Sequence, residues 1–395
     1  MTSQKSTTSL LLAIFLIALN LRPAVTSIGP LLETIKKDLN LSNSEVSLLT
    51  AIPVICMGLF APLAVHWLNK FGQRLGISLL IGVIGTLTLL RAWLHDYVSL
   101  LVTAFIIGVA IAIIGPILSS LVKEKFPTRM ASAIGIYSLG MGAGATLSAG
   151  LTGVLYVWIG EQWEFALAFW SSLALLAYLV WFVAMTPHQE RKVLTEQQQA
   201  SFRSPWTNRR AWLILLFFGF QASLFFSLTT WLASAASELG FSVIEAGSVI
   251  SVLTVSQIIA NISIPLLLEK FSNRSFWIYF SLFIGTLGIS LLLTGNVSLI
   301  WPASILLGFT LGGLFPLALL LPLDETTDAK EANAWTAMVQ TGGFIMGGLV
   351  PLAIGILYDY SGTHQLTYYV MLVLIVGMFV VTLLLNKKEA LQTQG

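Results

Sequence analysis

Leu68-Asn69-Lys70-Phe71-Gly72-Gln73-Arg74 returns 200 residues later as Leu268-Glu269-Lys270-Phe271-Ser272-Asn273-Arg274. The likeness extends outward on both sides. Upstream, Asp38-Leu39, Ser42 and Glu45 match Glu238-Leu239, Ser242 and Glu245. Downstream, Gly108 and Pro116 recur as Gly308 and Pro316, and with a drift of two residues Gly153-Val154-Leu155-Tyr156 recurs as Gly355-Ile356-Leu357-Tyr358. A correspondence held over most of each half is an internal repeat, not an effect of shared composition.

Each copy lies among long apolar runs. Of the 395 residues, 56% are hydrophobic and only 10% are charged, against about 25% charged in ordinary soluble proteins. So few charges cannot cover a folded surface of this size, and the solvent for most of the chain is lipid. A net charge of +2 excludes a basic nucleic-acid binder, and the lone Cys56 excludes a disulfide framework or a Cys-based structural metal site. Lipid offers no partners to backbone groups, so spanning segments are helices or a closed barrel. The runs here are far longer than the ~10-residue alternation of a barrel strand. They predict an all-α integral membrane protein of twelve transmembrane helices, at about 10–32, 45–67, 75–94, 98–122, 130–156, 164–185, 210–233, 242–268, 276–296, 298–322, 333–358 and 366–386.

Lysine and arginine placement sets orientation. With the N-terminus inside, sixteen Lys/Arg fall on the cytoplasmic side, three (Lys36, Lys37, Arg91) fall outside, and Arg22 lies within the first span. Both termini are therefore expected in the cytoplasm, in a bacterial inner or plasma membrane. The long polar connection 186–209 divides a six-helix half, 1–185, from a second, 210–395. Six is even, so the two halves cross in the same sense and should be related by an axis along the membrane normal, with a shared site at mid-depth. That is the architecture of an alternating-access transporter.

At these residues the sequence resembles a major facilitator superfamily transporter, and the resemblance covers the whole chain. The superfamily's loop between spans two and three carries Gly-x-x-x-Asp-Arg-x-Gly-x-Arg. Lys70, Gly72 and Arg74 fit it, while Asn69 replaces the acid and Val65 the leading Gly. In the second half Glu269 fills the acidic slot, with Lys270 and Arg274. The resemblance implies a cytoplasmic gate made of Asn69, Lys70, Gly72, Arg74, Glu269, Lys270 and Arg274, a tight turn with charges near helix ends. Asn20-Leu21-Arg22-Pro23, followed by Ser27-Ile28-Gly29-Pro30-Leu31-Leu32, is similar to the cyanate and 2-nitroimidazole transporter branch. That likeness implies a small anionic or polar, often nitrogen-containing, substrate.

The residues point the same way. Arg22 falls near the centre of its span, where an ionised side chain costs at least ~2.5 kcal/mol, and no Asp, Glu or Lys falls near mid-depth. Arginine keeps its proton, and its planar fork suits a carboxylate, cyanate or nitro group. Pro23 removes a backbone donor and frees the Leu19 carbonyl, kinking the helix beside Arg22. Helical spacing puts Arg22, Thr26, Gly29 and Glu33 on one face and ranks Thr26 above Asn20 as the neighbour of Arg22. The position equivalent to Arg22 is Ala222, so one anion site is expected. Phe220, Gln221, Phe225 and Phe226 on span seven, Thr254 and Gln257 on span eight and Thr310 on span ten are candidate walls. Tyr137, Trp335 and Gln340 are candidates nearer the cytoplasm. Such amide, hydroxyl and aromatic groups orient a small flat solute, although helix–helix hydrogen bonding uses the same residues. Glycine-rich stretches on spans five and eleven let helix backbones approach closely.

Scattered histidines, with no HExxH pair and no carboxylate pair in the lipid-depth stretches, argue against an enzyme. A receptor or scaffold is a weaker reading, as is drug or sugar efflux, which would favour a neutral or acidic cavity. No cofactor or metal is expected. The expected partners are a small-molecule substrate, the lipid bilayer and a coupled proton or exchanged anion, with the chain a monomer. Glu33 and His66 are the titratable groups nearest to such coupling.

Overall fold

The computed structural model describes residues 2–126, 130–185, 204–271, 273–326 and 329–392. Every regular element among the described residues is helical: α1 Thr2–Asn20, α2 Pro23–Thr26, α3 Leu32–Asp38, α4 Asn43–Leu59, α5 Leu63–Leu90, α6 Tyr97–Lys125, α7 Met130–Trp158, α8 Trp163–Ala168, α9 Ser171–Ala184, α10 Arg209–Glu238, α11 Val243–Lys270, α12 Arg274–Leu293, α13 Ile300–Asp324, α14 Ala329–Ser361 and α15 Gln365–Gln392. Among the described residues, eleven helical stretches are long and apolar enough to cross a membrane, and Asn43–Leu59 is a shorter apolar helix. Large apolar side chains stand exposed on them, Val183 at 78% and Phe283 and Val373 at 69%. Lipid is the solvent that makes such exposure favourable.

Helices cover the twelve expected spans, several of them with interruptions. The first span continues to Asp38 in pieces, with a 3-10 turn at Gly29–Leu31 between α2 and α3. The second breaks after Leu59, at Phe60-Ala61-Pro62, and resumes as the start of α5. Within α5 the chain turns at Gly72 (φ 69°, ψ 179°), a region of backbone space essentially open to glycine alone. The sixth span is split between α8 and α9. The connection 186–209 lies mostly outside the described residues. Its end forms the 3-10 turn Pro205–Thr207, and Asn208 caps α10 by accepting from the Arg210 amide at 2.9 Å.

By contacts the chain forms two units, the first of Met1–Leu41 and Leu48–Gln198, the second of Ser42–Ser47 and Gln199–Gly395. In the first, α1 packs on α7 and α9, and α5 on α6 and α9. In the second, α10 packs on α14, α15, α11 and α13, while α13 also covers α11 and α12.

The sequence repeat has a physical counterpart. Ser42 and Glu45 exchange side-chain and backbone hydrogen bonds at the start of α4, and Ser242 and Glu245 do the same at α11. This capping box satisfies two otherwise orphaned helix donors. A Cβ at Gly108 would collide with the backbone of Pro53 and with Cys56, and one at Gly308 with the backbone of Leu253 and with Ser256. All these pairs stand 200 residues apart. One contact is inverted. Gly144 on α7 lies against Leu19 of α1, whereas in the second unit the glycine is Gly219 on α10 and the large residue is Met346 on α14. Close approach needs one small partner, and either helix can supply it.

Candidate substrate-binding site

The first unit assembles its candidates around the break in the first span. Pro23 cannot donate, the chain turns at Leu21 and Arg22, and the Leu21 amide reaches back to the Ala18 carbonyl at 3.1 Å. Gly144 permits α7 to cover the Leu19 carbonyl that the proline frees. Downstream, the Val25 and Thr26 amides both bond the Arg22 carbonyl at 3.0 Å. The Ile28 amide passes over Ala24 for Val25, at 3.4 Å. The Ala24 carbonyl instead faces Arg91 Nη1 at 3.5 Å, while Arg91 Nε donates to Thr103 Oγ1 at 3.3 Å. The sequence places Arg91 at the outer end of the span expected at 75–94. Its side chain is only 2% exposed, so it braces the broken span from the end of α5.

Arg22 keeps some exposure, and Tyr137 of α7 is its electrostatic neighbour. The Tyr137 hydroxyl also lies about 3.8 Å from where a Cβ would stand on Gly115 of α6. Tyr137, expected nearer the cytoplasm, is therefore brought to Arg22. Thr26 is directed elsewhere than its spacing implied. Its hydroxyl donates to the Arg22 carbonyl at 2.9 Å and shares a 2.6 Å hydrogen bond with Ser148 of α7, so it contacts the backbone of Arg22. Asn20, ranked lower, is 3% exposed, and its Nδ2 is buried without a hydrogen-bond partner among the described residues. A buried amide donor with no partner is costly and marks a position that a ligand's acceptor could fill. Ser148 was missed by sequence reasoning because only packing of α7 on α2 brings it near.

The second-unit candidates are more dispersed. Gln221 is buried on α10. Phe220 packs against Gly377 of α15, and Phe225 and Phe226 meet edge to face at 5.0 Å, Phe226 beside Gly347. The Thr254 hydroxyl is taken up by its own helix, at the Ile250 and Ser251 carbonyls. Thr310 donates across to the Ser281 carbonyl of α12 at 3.1 Å, so its hydroxyl ties helices together. Gln257 puts its backbone carbonyl against Gly312. Trp335 is buried on α14, and Gln340 is partly exposed there. Ser223 and Ser227, one turn apart on α10, are fully buried with hydroxyls that have no partner among the described residues. Their spacing was the available signal.

Of the gate candidates, Asn69 and Lys70 are exposed, with Lys70 Nζ 5.3 Å from the Phe71 ring centre. Arg74 lies over the Phe182 ring at 4.5 Å and donates to the Phe182 carbonyl at 3.4 Å. Gln73 donates to Glu124 Oε2 at 2.6 Å. In the second unit Arg274 pairs with Asp324, and Arg210 with Glu325. These pairs border a cavity of about 380 Å³ that Asn273 and Asn386 also line. Lys270 is exposed, and the Glu269 side chain lies outside the described residues.

Two repeat-related helical units in lipid, one holding a partly exposed arginine beside a broken helix, are the build of a membrane solute transporter. The sequence matches the Major Facilitator Superfamily over residues 10–348 and 235–394, and the chain belongs to that family. It is a secondary transporter and a multi-pass membrane protein. It is 32% identical over 386 residues to the cyanate transport protein CynX of Escherichia coli, covering 95% of this chain and 96% of that one. It is 31% identical to the transporter YycB of Bacillus subtilis over 374 residues, 92% of this chain and 90% of that one. The 2-nitroimidazole transporter of Escherichia coli is 27% identical, with 91% of each chain covered. Among solved structures, the nucleoside transporter NupG superposes with a TM-score of 0.76 at 11% identity, covering 95% of this chain and 98% of that one. A bacterial homologue of the lysosomal transporter Spinster, inward-facing and unoccupied, gives 0.74 at 18% identity, with 95% of each chain covered.

Proposed function

We propose that the protein moves a small anionic or polar nitrogen-containing solute across the bacterial cell membrane by alternating access, with Arg22 as the group that holds it. The observation that carries this reading is the partly exposed Arg22 guanidinium at the break in the first span, with the Tyr137 phenol as its electrostatic neighbour; two residues before it in the chain, Asn20 Nδ2 is buried without a hydrogen-bond partner among the described residues. A planar cation beside a neutral hydrogen-bonding group recognises a small flat acceptor such as a cyanate, nitro or carboxylate group. The relatives named for cyanate and 2-nitroimidazole support that substrate class. Gln221 and Gln257 are the second-unit amides proposed to complete recognition. The loop at 69–74 and its counterpart at 269–274 are proposed to gate the cytoplasmic side, with both termini there.

The test is a thermal-shift screen of the purified protein against cyanate, nitrate, 2-nitroimidazole and small carboxylates, repeated with Arg22→Ala. A ligand that stabilises the natural protein should lose affinity by about tenfold to a hundredfold in the variant, the worth of a charge-assisted hydrogen bond of ~1.5–3 kcal/mol. Arg22→Lys should restore it in part, since the charge returns without the fork. Unchanged affinity in Arg22→Ala for a confirmed ligand would end this assignment.

A further inference from the structure

Among the described residues, His364 is the histidine withdrawn from solvent, at 3% exposure, in the short turn between α14 and α15. Its surroundings come from three helices of the second unit. Ser234 of α10 meets Nε2 at 3.0 Å, and Thr367 of α15 meets Nδ1 at 3.2 Å. The Tyr358 ring of α14 lies 4.3 Å from the imidazole centre and the Trp231 ring of α10 lies 5.9 Å away. Glu238, the last residue of α10, brings Oε2 to 3.9 Å from Nε2 while its own side chain stays 38% exposed. Tyr368 of α15 is an electrostatic neighbour of Glu238. Asp359 follows Tyr358 in the chain, and its carboxylate accepts from the Asn43 amide at 2.7 Å, Asn43 Nδ2 at 2.8 Å and the Ser44 amide at 2.8 Å, capping α4. Glu45 is an electrostatic neighbour of Asp359.

We propose that His364 is a reversible proton-binding site, with the half-exposed Glu238 as its route to water. The argument is one of satisfiable valence. A neutral imidazole offers one donor and one acceptor, and an imidazolium offers two donors. Both ring nitrogens face hydroxyls, which donate or accept by rotating one O–H bond. Either protonation state is therefore fully hydrogen-bonded with no heavy atom moving. An imidazole held only for packing needs partners for one state. Here the charged state also gains a carboxylate at Nε2 and two aromatic faces, which attract cations. The proton is taken from water through Glu238 and returned the same way, with no bond between heavy atoms made or broken.

The test is a titration of the full chain, labelled on its histidine rings with nitrogen-15, in lipid nanodiscs between pH 5 and 8.5. The His364 signal, identified by its loss in His364→Gln, should titrate reversibly in that range. In Glu238→Gln its midpoint should fall by about 0.8 unit or more, the shift that a full charge 3.9 Å away makes even in water. If His364→Gln does not yield folded protein, His66→Gln, His95→Gln and His188→Gln identify the remaining signal by elimination. A His364 ring that stays in one protonation state throughout, or titrates with the same midpoint when Glu238 is neutralised, overturns the proposal. No transported solute enters the measurement, so its failure is separate from failure of the Arg22 reading.

Discussion

Introducing one methyl group at each of two repeat-equivalent helix contacts should give unequal results. Alanine in place of glycine inside a helix gains up to ~1 kcal/mol of propensity, while overfilling a packed contact costs about 1–3 kcal/mol. What the methyl meets decides which wins. At Gly144 it would meet the carbonyl oxygen, carbonyl carbon and Cα of Leu19, all backbone, in the turn that leads to Asn20 and Arg22. Only a shift of one helix against the other makes room, so the overpacking cost dominates. At Gly219 it would meet Sδ and the terminal methyl of Met346, the end of an unbranched side chain that yields by rotating. Gly144→Ala should therefore be destabilised by about 1–2 kcal/mol and Gly219→Ala should stay within about 0.5 kcal/mol of the natural protein. The thermal unfolding midpoints of the two variants should then differ by several degrees, at ~2–4 °C per kcal/mol for units of this size. Tryptophan fluorescence of the detergent-solubilised protein during heating measures them. Equal midpoints, or a lower one for Gly219→Ala, would refute the reasoning that backbone contact is what makes Gly144 necessary.

Gly72→Leu forces a bulky residue into φ 69°, ψ 179° and should cost about 1–3 kcal/mol of stability. Its transport rate should fall further than ligand affinity, as proteoliposome uptake set beside the thermal-shift assay would show. Thr26→Val removes the hydroxyl shared by the Arg22 carbonyl and Ser148 and should cost about 1–2 kcal/mol, measured as a fall in unfolding midpoint, with a smaller loss of ligand affinity than Arg22→Ala. Single cysteines in a Cys56→Ser background, Glu196→Cys and Ser361→Cys, should be labelled by an impermeant maleimide from opposite faces of the membrane. Labelling of both in intact cells would refute the Lys/Arg-based orientation.

How much of this protein is legible without its structure depends on the range of the forces involved. Lipid forces every spanning backbone to satisfy itself locally, so the twelve apolar stretches, the interruption at Pro23 and the need for glycine at position 72 stand in the sequence. The 200-residue repeat was equally plain, because a contact reused in both halves keeps its small residue in register, as at Gly108 and Gly308. The inversion at Gly144 and Gly219 was not legible, since either helix can supply the small partner. Arg22 could be singled out because a charge amid apolar residues is conspicuous at any position. Its surroundings could not. Spacing along one helix favoured Thr26, but the break redirects that hydroxyl to Ser148, and Asn20 Nδ2 has no hydrogen-bond partner among the described residues. Arg91 counted only as an outer-side charge until packing turned it toward the Ala24 carbonyl. His364 stood among scattered histidines until two helices brought Ser234, Glu238 and Thr367 around its ring. Hydropathy and proline act within a few residues and can be read along the chain. A side chain's partners lie as far as 316 residues away, as Asp359 does from Asn43, and only the packing of helices selects them.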